Sequence, residues 1–132
     1  MKRRLTAFLT VLLLPIAAVV AIPSPAHAAT YCYDIQAFTP SGWIYGSGLV
    51  NACIQPIDAE LHLREDIFFS PDREVTADYR YGVTSAYMEV RANCMWTPGS
   101  WYDYFVETRV RVNGSYQQKR QSGRWSIQYY CY

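Results

Sequence analysis

Between Ser85 and Cys94 the chain alternates, with Ala86, Met88, Val90, Ala92 and Cys94 apolar and Tyr87, Glu89, Arg91 and Asn93 between them. A period of two is the pattern of a strand with one buried face. The stretch is therefore expected to be a central strand of a two-layer β domain, anchored by the cysteine on its apolar face. The same period recurs where Ala59, Leu61 and Leu63 alternate with Asp58, Glu60, His62 and Arg64. It recurs again where Val106, Thr108, Val110 and Val112 alternate with Glu107, Arg109, Arg111 and Asn113. Both predict strands with one solvated face. Trp125, Ile127, Tyr129 and Cys131 share a face, which places the last cysteine in the core, and Tyr31 to Phe38 predict a less regular opening strand. No segment keeps apolar residues at helical spacing over helical length, so little or no helix is expected.

Turn chemistry divides these strands. Thr39-Pro40-Ser41-Gly42, Gln55-Pro56, Ser70-Pro71-Asp72, Tyr81-Gly82, Thr97-Pro98-Gly99-Ser100, Asn113-Gly114 and Ser122-Gly123 predict turns, and hence about seven to eight strands. Pro98-Gly99 suits a type II turn, with Gly99 at the position of positive φ, and Asn113-Gly114 suits a type I′ hairpin. The last three long strands are accordingly expected to form an antiparallel meander. Fold class is all-β, an antiparallel β-sandwich.

Residues 1–28 stand outside this pattern. Lys2, Arg3 and Arg4 precede an apolar run from Ala7 to Ile22, and Ala26-His27-Ala28 carries the small residues of a signal-peptidase site. Pro15 interrupts the run, which is short for a membrane span. The expectation is a secretory signal cleaved after Ala28, no lipid anchor at Cys32 and no membrane association of the released chain. Removing 28 of the 132 residues leaves 104, enough for one domain, 29–132, and a monomer is expected. Cleavage also removes three of the 12 Lys and Arg and none of the 11 Asp and Glu. The slightly acidic remainder lacks the electrostatic footprint of a nucleic-acid binder, so nucleic acid is excluded as a partner.

All four cysteines, Cys32, Cys53, Cys94 and Cys131, lie in the exported part, and an even count in a small exported domain predicts two disulfides. Three pairings are possible. The nested one is favoured, with Cys53–Cys94 tying two core strands and Cys32–Cys131 tying the ends. With no C-x-x-C pair and one remaining histidine, no metal site or cofactor is expected.

Tyr45-Gly46-Ser47-Gly48, Cys53, the alternation from Ala59 to Arg64, Cys94 before Trp101-Tyr102, and the valine-arginine strand ending at Asn113-Gly114 together resemble a broad group of small secreted actinobacterial proteins. The likeness covers residues 45–114 and leaves out Cys32 and Cys131. It implies an immunoglobulin-like β-sandwich and no assigned activity.

Candidate chemistry is sparse. His62 falls on the polar side of its strand and is expected to be an ordinary surface residue, and with the cysteines oxidised no familiar nucleophilic catalyst can be assembled. Glu65, Asp66, Asp72, Glu74 and Asp78 cluster along the sequence, and two of them facing one cleft would permit acid–base hydrolysis. Such a polar turn is read instead as a solvated rim, so no catalytic residue is assigned. The 12 tyrosines and four tryptophans are the unusual feature. Trp96, Trp101, Tyr102 and Tyr104 gather around one tight turn and are the candidate ligand-binding residues, since stiff amphipathic rings serve recognition of proteins or stacking on sugars. The functional expectation is a secreted, non-catalytic binding module for an extracellular protein or glycan. The alternative is a secreted hydrolase inhibitor, by analogy with the tendamistat-type amylase inhibitors. Those present Trp-Arg-Tyr, where this chain has Gly123-Arg124-Trp125-Ser126.

Overall fold

A computed structural model describes residues 30–42 and 44–132; the expected signal segment 1–28 and its expected cleavage site lie outside the described residues. Ten strands follow one another: β1 (Cys32–Ser41), β2 (Tyr45–Cys53), β3 (Ile57–Asp66), β4 (Arg73–Val83), β5 (Ala86–Arg91), β6 (Cys94–Trp96), β7 (Tyr102–Val112), β8 (Ser115–Gln121), β9 (Trp125–Ile127) and β10 (Tyr129–Cys131). Seven are long, and three of only three residues bring the number to ten. One layer has the order β1-β2-β5. The larger layer has the order β4-β3-β7-β8, with β9 pairing β7 beside β8, and β6 and β10 form a separate ribbon. All pairings are antiparallel.

The two layers pack as a sandwich. Val50 of β2 and Met88 and Val90 of β5 meet Ala59, Leu61 and Leu63 of β3 and Val106 and Val110 of β7, all buried. The expected inward faces of β3 and β7 are therefore correct. Two glycines set the spacing: a Cβ on Gly46 would stand 2.7 Å from Val106 Cγ2, and one on Gly48 would collide with the Thr108 hydroxyl and lie 2.6 Å from Leu61 Cδ1. With hydrogen in place of a methyl, β2 lies directly on β3 and β7. Thr108 then donates across the interface to the Gln36 carbonyl (2.9 Å). At the open side Gln118 of β8 acts like a missing strand for β1, accepting from the Tyr31 and Cys32 amides (2.9 and 2.8 Å) and donating to the Cys32 carbonyl (3.0 Å).

Several expectations change. The strand expected from Ser85 to Cys94 stops at Arg91, with Cys94 opening β6 in the separate ribbon, and it is an edge: among the described residues β5 pairs only with β2, and β3 and β7 are the central staves. Its alternation correctly marks a buried face, but one-sided burial does not report how many neighbours a strand has. Tyr81-Gly82 is no turn. The pairs Ile57↔Val83 and Ala59↔Arg80 leave one extra residue on β4, a bulge in which Gly82 takes φ +61° and gives its amide to Asp58 Oδ1 (3.0 Å). The chain reverses instead at Thr84-Ser85, crossing between layers. Asn113 and Gly114 have φ of 51° and 78°, as a type I′ hairpin requires, and join β7 to β8. Gly99 has φ +84°, and Ser100 donates to the Thr97 carbonyl (3.2 Å). That turn does not form a hairpin, because β6 pairs with β10 and not with β7, so the expected meander is reduced to the β7-β8 hairpin, with β9 returning to pair β7.

The disulfides are Cys32–Cys53 and Cys94–Cys131, not the nested pairs. Each bridges register partners on adjacent antiparallel strands, β1 with β2 and β10 with β6. Cysteines placed opposite each other in a ladder need no chain displacement to bond, whereas the nested pairing would have to join sheets. Two disulfides suit an oxidising setting. Among the described residues no helix is long and apolar enough to cross a membrane.

Candidate functional site

The outer face of the larger sheet was expected to be wet, yet several of its polar side chains are buried. Register places Asp58, Glu60, His62 and Arg64 of β3 beside Arg111, Arg109, Glu107 and Phe105 of β7, with Tyr79 of β4 and Tyr116 of β8 flanking them. Because both central strands carry charge on this face, opposite charges fall on neighbouring positions, and the long arginine stems and tyrosine rings cover the shorter groups. Glu60, His62 and Glu107 are buried as a result, and His62 is only 4% exposed. The expectation of an ordinary surface histidine is overturned.

His62 holds two carboxylates. Its Nε2 lies 2.8 Å from Glu60 Oε2 and its Nδ1 2.5 Å from Glu74 Oε2, so the ring bridges β3 to β4. The edge of the ring meets Tyr79, with centroids 5.8 Å apart and planes at 88°. On its other side Glu60 accepts from the Tyr116 hydroxyl (3.2 Å), which itself accepts from Arg109 Nη1 (2.9 Å). The Arg111 Nε stands 2.9 Å from Glu60 Oε1 as an ion pair, its N–H directed off the hydrogen-bonding line. The guanidinium carbons of Arg111 and Arg109 lie 3.9 and 5.0 Å from the Tyr116 ring centroid, so the ring is fixed by two cations. Deeper on β7, Glu107 takes hydrogen bonds from Arg109 and from Gln121 (2.5 Å), with Arg64 3.7 Å away.

The electrostatics follow from these partners. Burial pushes the Glu107 carboxyl up, but the hydrogen bonds from Gln121 and Arg109 and the charges of Arg109 and Arg64 outweigh it and hold it below its ordinary value. Burial alone would lower Arg109, and the hydrogen bond to Glu107 reverses the sign and raises it. The Tyr79 phenol is raised, first by desolvation and then by the charges of Glu74 and Glu60.

Between the β4 and β8 edges these side chains leave an open groove of about 470 Å³, lined by Asp58, Glu60, His62, Glu74, Tyr79, Tyr81, Arg109, Arg111 and Tyr116 together with Gly114. A second recess of about 370 Å³ continues it along β8, sharing Arg109 and Tyr116 and reaching Gln117 to Lys119. Tyr79 and Tyr81 stack with planes 5° apart and centroids 6.4 Å apart, and both rings line the groove. Tyr81 is 74% exposed.

No protein-family model, curated protein or solved structure matches this chain.

The four aromatic residues singled out from the sequence do not share a surface. Trp96 and Trp101 are exposed, at 62% and 67%, on either side of the Pro98-Gly99 turn. Tyr102 is half-buried, packed edge-on to Tyr130 at 5.5 Å. Tyr104 is fully buried, its hydroxyl donating to the Tyr129 carbonyl and accepting from the Cys131 amide (both 2.9 Å). It is a core residue that fastens β10 to β7, and no ligand reaches it. Trp125, expected to face inward, is partly exposed, while Cys131 is buried.

The acidic cluster is dispersed as well. Glu65 pairs with Arg73, Asp66 with Arg124 (both 2.6 Å) and Asp78 with Arg80 (2.5 Å), and of the five only Glu74 lines the groove. Among the described residues no set of three His, Cys, Asp or Glu side chains could hold a metal ion. The groove is thus built mainly from residues that were read as solvated or passed over: Glu60, His62, Tyr79, Tyr81, Arg109, Arg111 and Tyr116. The available signal was complementary charge on the polar faces of two strands, Asp-Glu-His on one and Glu-Arg-Arg on the other.

Proposed function

We propose that this chain is a secreted, non-catalytic binding protein whose recognition surface is the tyrosine-walled groove on the outer face of β4-β3-β7-β8. One observation carries the reading. Exposed rings of Tyr79, Tyr81 and Tyr116 stand over a floor of buried charges that are already matched to one another. A floor held this way is rigid before any ligand arrives, so little ordering cost is left to binding. The rings offer large contact area with a polar tip. Two disulfides and the signal-like segment 1–28 support export, with a mature chain starting at Ala29 and acting as a monomer on an extracellular glycan or protein.

Absence of catalysis is part of the proposal. A general base needs a free lone pair within reach of substrate, and both ring nitrogens of His62 are engaged by carboxylates. The test is binding of the secreted protein to a glycan array and to a panel of extracellular proteins, comparing wild type with Tyr81→Ala, Tyr116→Ala and Trp101→Ala. Loss of binding in the two groove variants alone is the expected result. Loss in Trp101→Ala with the groove variants unchanged would move the surface to the Pro98-Gly99 turn and overturn the assignment.

A further inference from the structure

We infer that the groove takes a neutral oligosaccharide laid across the strands; this rests on the binding role proposed above and names its ligand class. The buried charges of the floor are already paired. Glu60 and Glu74 each meet one nitrogen of His62, Glu60 also faces Arg111, and Arg109 is held by Glu107. An anionic ligand set against Arg111 or Arg109 would also face the carboxylates of Glu60 and Glu107 that already neutralise them. A cationic one set against those carboxylates would face the arginines. Displacing either partner would leave a buried charge unpaired, which is costly.

A hydroxyl group needs no such exchange. It is donor and acceptor at once, and the floor keeps spare capacity of both kinds. A carboxylate has about four acceptor positions and a guanidinium five N–H donors. Glu74 spends one oxygen on His62, and Asp58 spends one on the Gly82 amide. A ligand rich in hydroxyls can therefore add to the network without dismantling it.

The walls have the matching shape. Tyr79 and Tyr81 on β4 form a nearly parallel pair, and Tyr116 on β8 lines the same groove with Arg111 and Arg109 against its ring. From β4 to β8 the sheet spans three strand spacings, about 14 Å, room for a short chain of sugar rings. The C–H face of a pyranose is apolar and flat enough to pack on a tyrosine ring, while its edge hydroxyls point at the floor.

The experiment is titration calorimetry of the secreted protein with hexasaccharides of glucose, mannose, xylose and N-acetylglucosamine, and with hexamers of galacturonic acid and glucosamine as charged counterparts. The expected result is binding of at least one neutral hexamer, with a dissociation constant of about a millimolar or tighter and little change on adding salt. Tyr81→Ala should weaken it about three- to tenfold, and Tyr81→Phe should retain it. Tyr81 has no role in the core, so near-ultraviolet dichroism should show both variants folded. Binding of a charged hexamer alone, weakened by Tyr81→Ala, would overturn the neutral-sugar inference and leave the groove as the binding surface. Neutral-sugar binding that survives both Tyr81→Ala and Tyr116→Ala would overturn both. Silence of all six probes at about 10 mM, a weaker interaction than any useful to a secreted binder, would overturn the inference.

Discussion

Replacing Tyr104 by Phe keeps the ring in the core and deletes one oxygen. That oxygen makes two hydrogen bonds in a fully buried site, donating to the Tyr129 carbonyl and accepting from the Cys131 amide. Each bond is worth about 0.5–1.5 kcal/mol net, and a buried amide left without an acceptor costs about 1–3 kcal/mol. Tyr104→Phe should therefore destabilise the fold by about 2–4 kcal/mol, a large part of a typical 5–15 kcal/mol. For a domain of this size that corresponds to a fall in Tm of roughly 10–20 °C. Chemical denaturation with the disulfides intact measures it directly. The same oxygen predicts a pH signature. Burial raises the Tyr104 phenol to about 12 from 10, so its folded value lies above its unfolded one. The stabilisation it confers is complete below pH 10 and is lost as pH rises through 12. Wild type should lose stability in that window more steeply than Tyr104→Phe. A change below about 0.5 kcal/mol, the range of ordinary surface substitutions, together with superimposable alkaline limbs, would refute the view that this hydroxyl fastens β10 to β7.

Two further substitutions probe the sandwich and the groove floor. Gly48→Ala should destabilise by about 1–3 kcal/mol or more, although alanine ordinarily favours a strand over glycine, because the new methyl meets Thr108 and Leu61; an equal or higher Tm would show that the layers can separate without cost. Glu107, held below its ordinary value, contributes stability that is present above the carboxylate range and lost as pH falls through its folded value. Glu107→Gln should lower stability at neutral pH and flatten the acid limb of the unfolding profile, and an unchanged acid limb would remove Glu107 from the network.

The layers of this fold were legible because burial on one face writes itself as a period of two. Leu61, Leu63, Val106 and Val110 are where their alternation puts them. Continuing the β7 alternation backwards from Val106 reaches Tyr104, so its core position was also readable once ring size was set aside. Strand order was less accessible: Met88 and Val90 look the same on an edge as in the middle. Cysteine pairing depends on register between β1 and β2 and between β6 and β10, which turn residues around Gly42 and Pro98 do not specify. The groove was the hardest feature, because polarity on β3 and β7 was equated with solvent. What buries Glu60 and His62 is the adjacency of those two strands and the reach of arginine and tyrosine from their neighbours, information held between segments and not within any of them.

The two disulfides short-circuit the chain at both ends and leave its middle unlocked. Pulled apart from its termini, the molecule cannot extend between Cys32 and Cys53 or between Cys94 and Cys131. Between the outermost cysteines only the 41 residue steps from Cys53 to Cys94 can pay out, a reach of about 140 Å at full extension. Those steps contain β3 and β4, and with them Glu60, His62, Glu74, Tyr79 and Tyr81. Tension along the chain would thus dismantle the groove while both covalent loops stay closed, making loss of the groove the first mechanical event rather than the last.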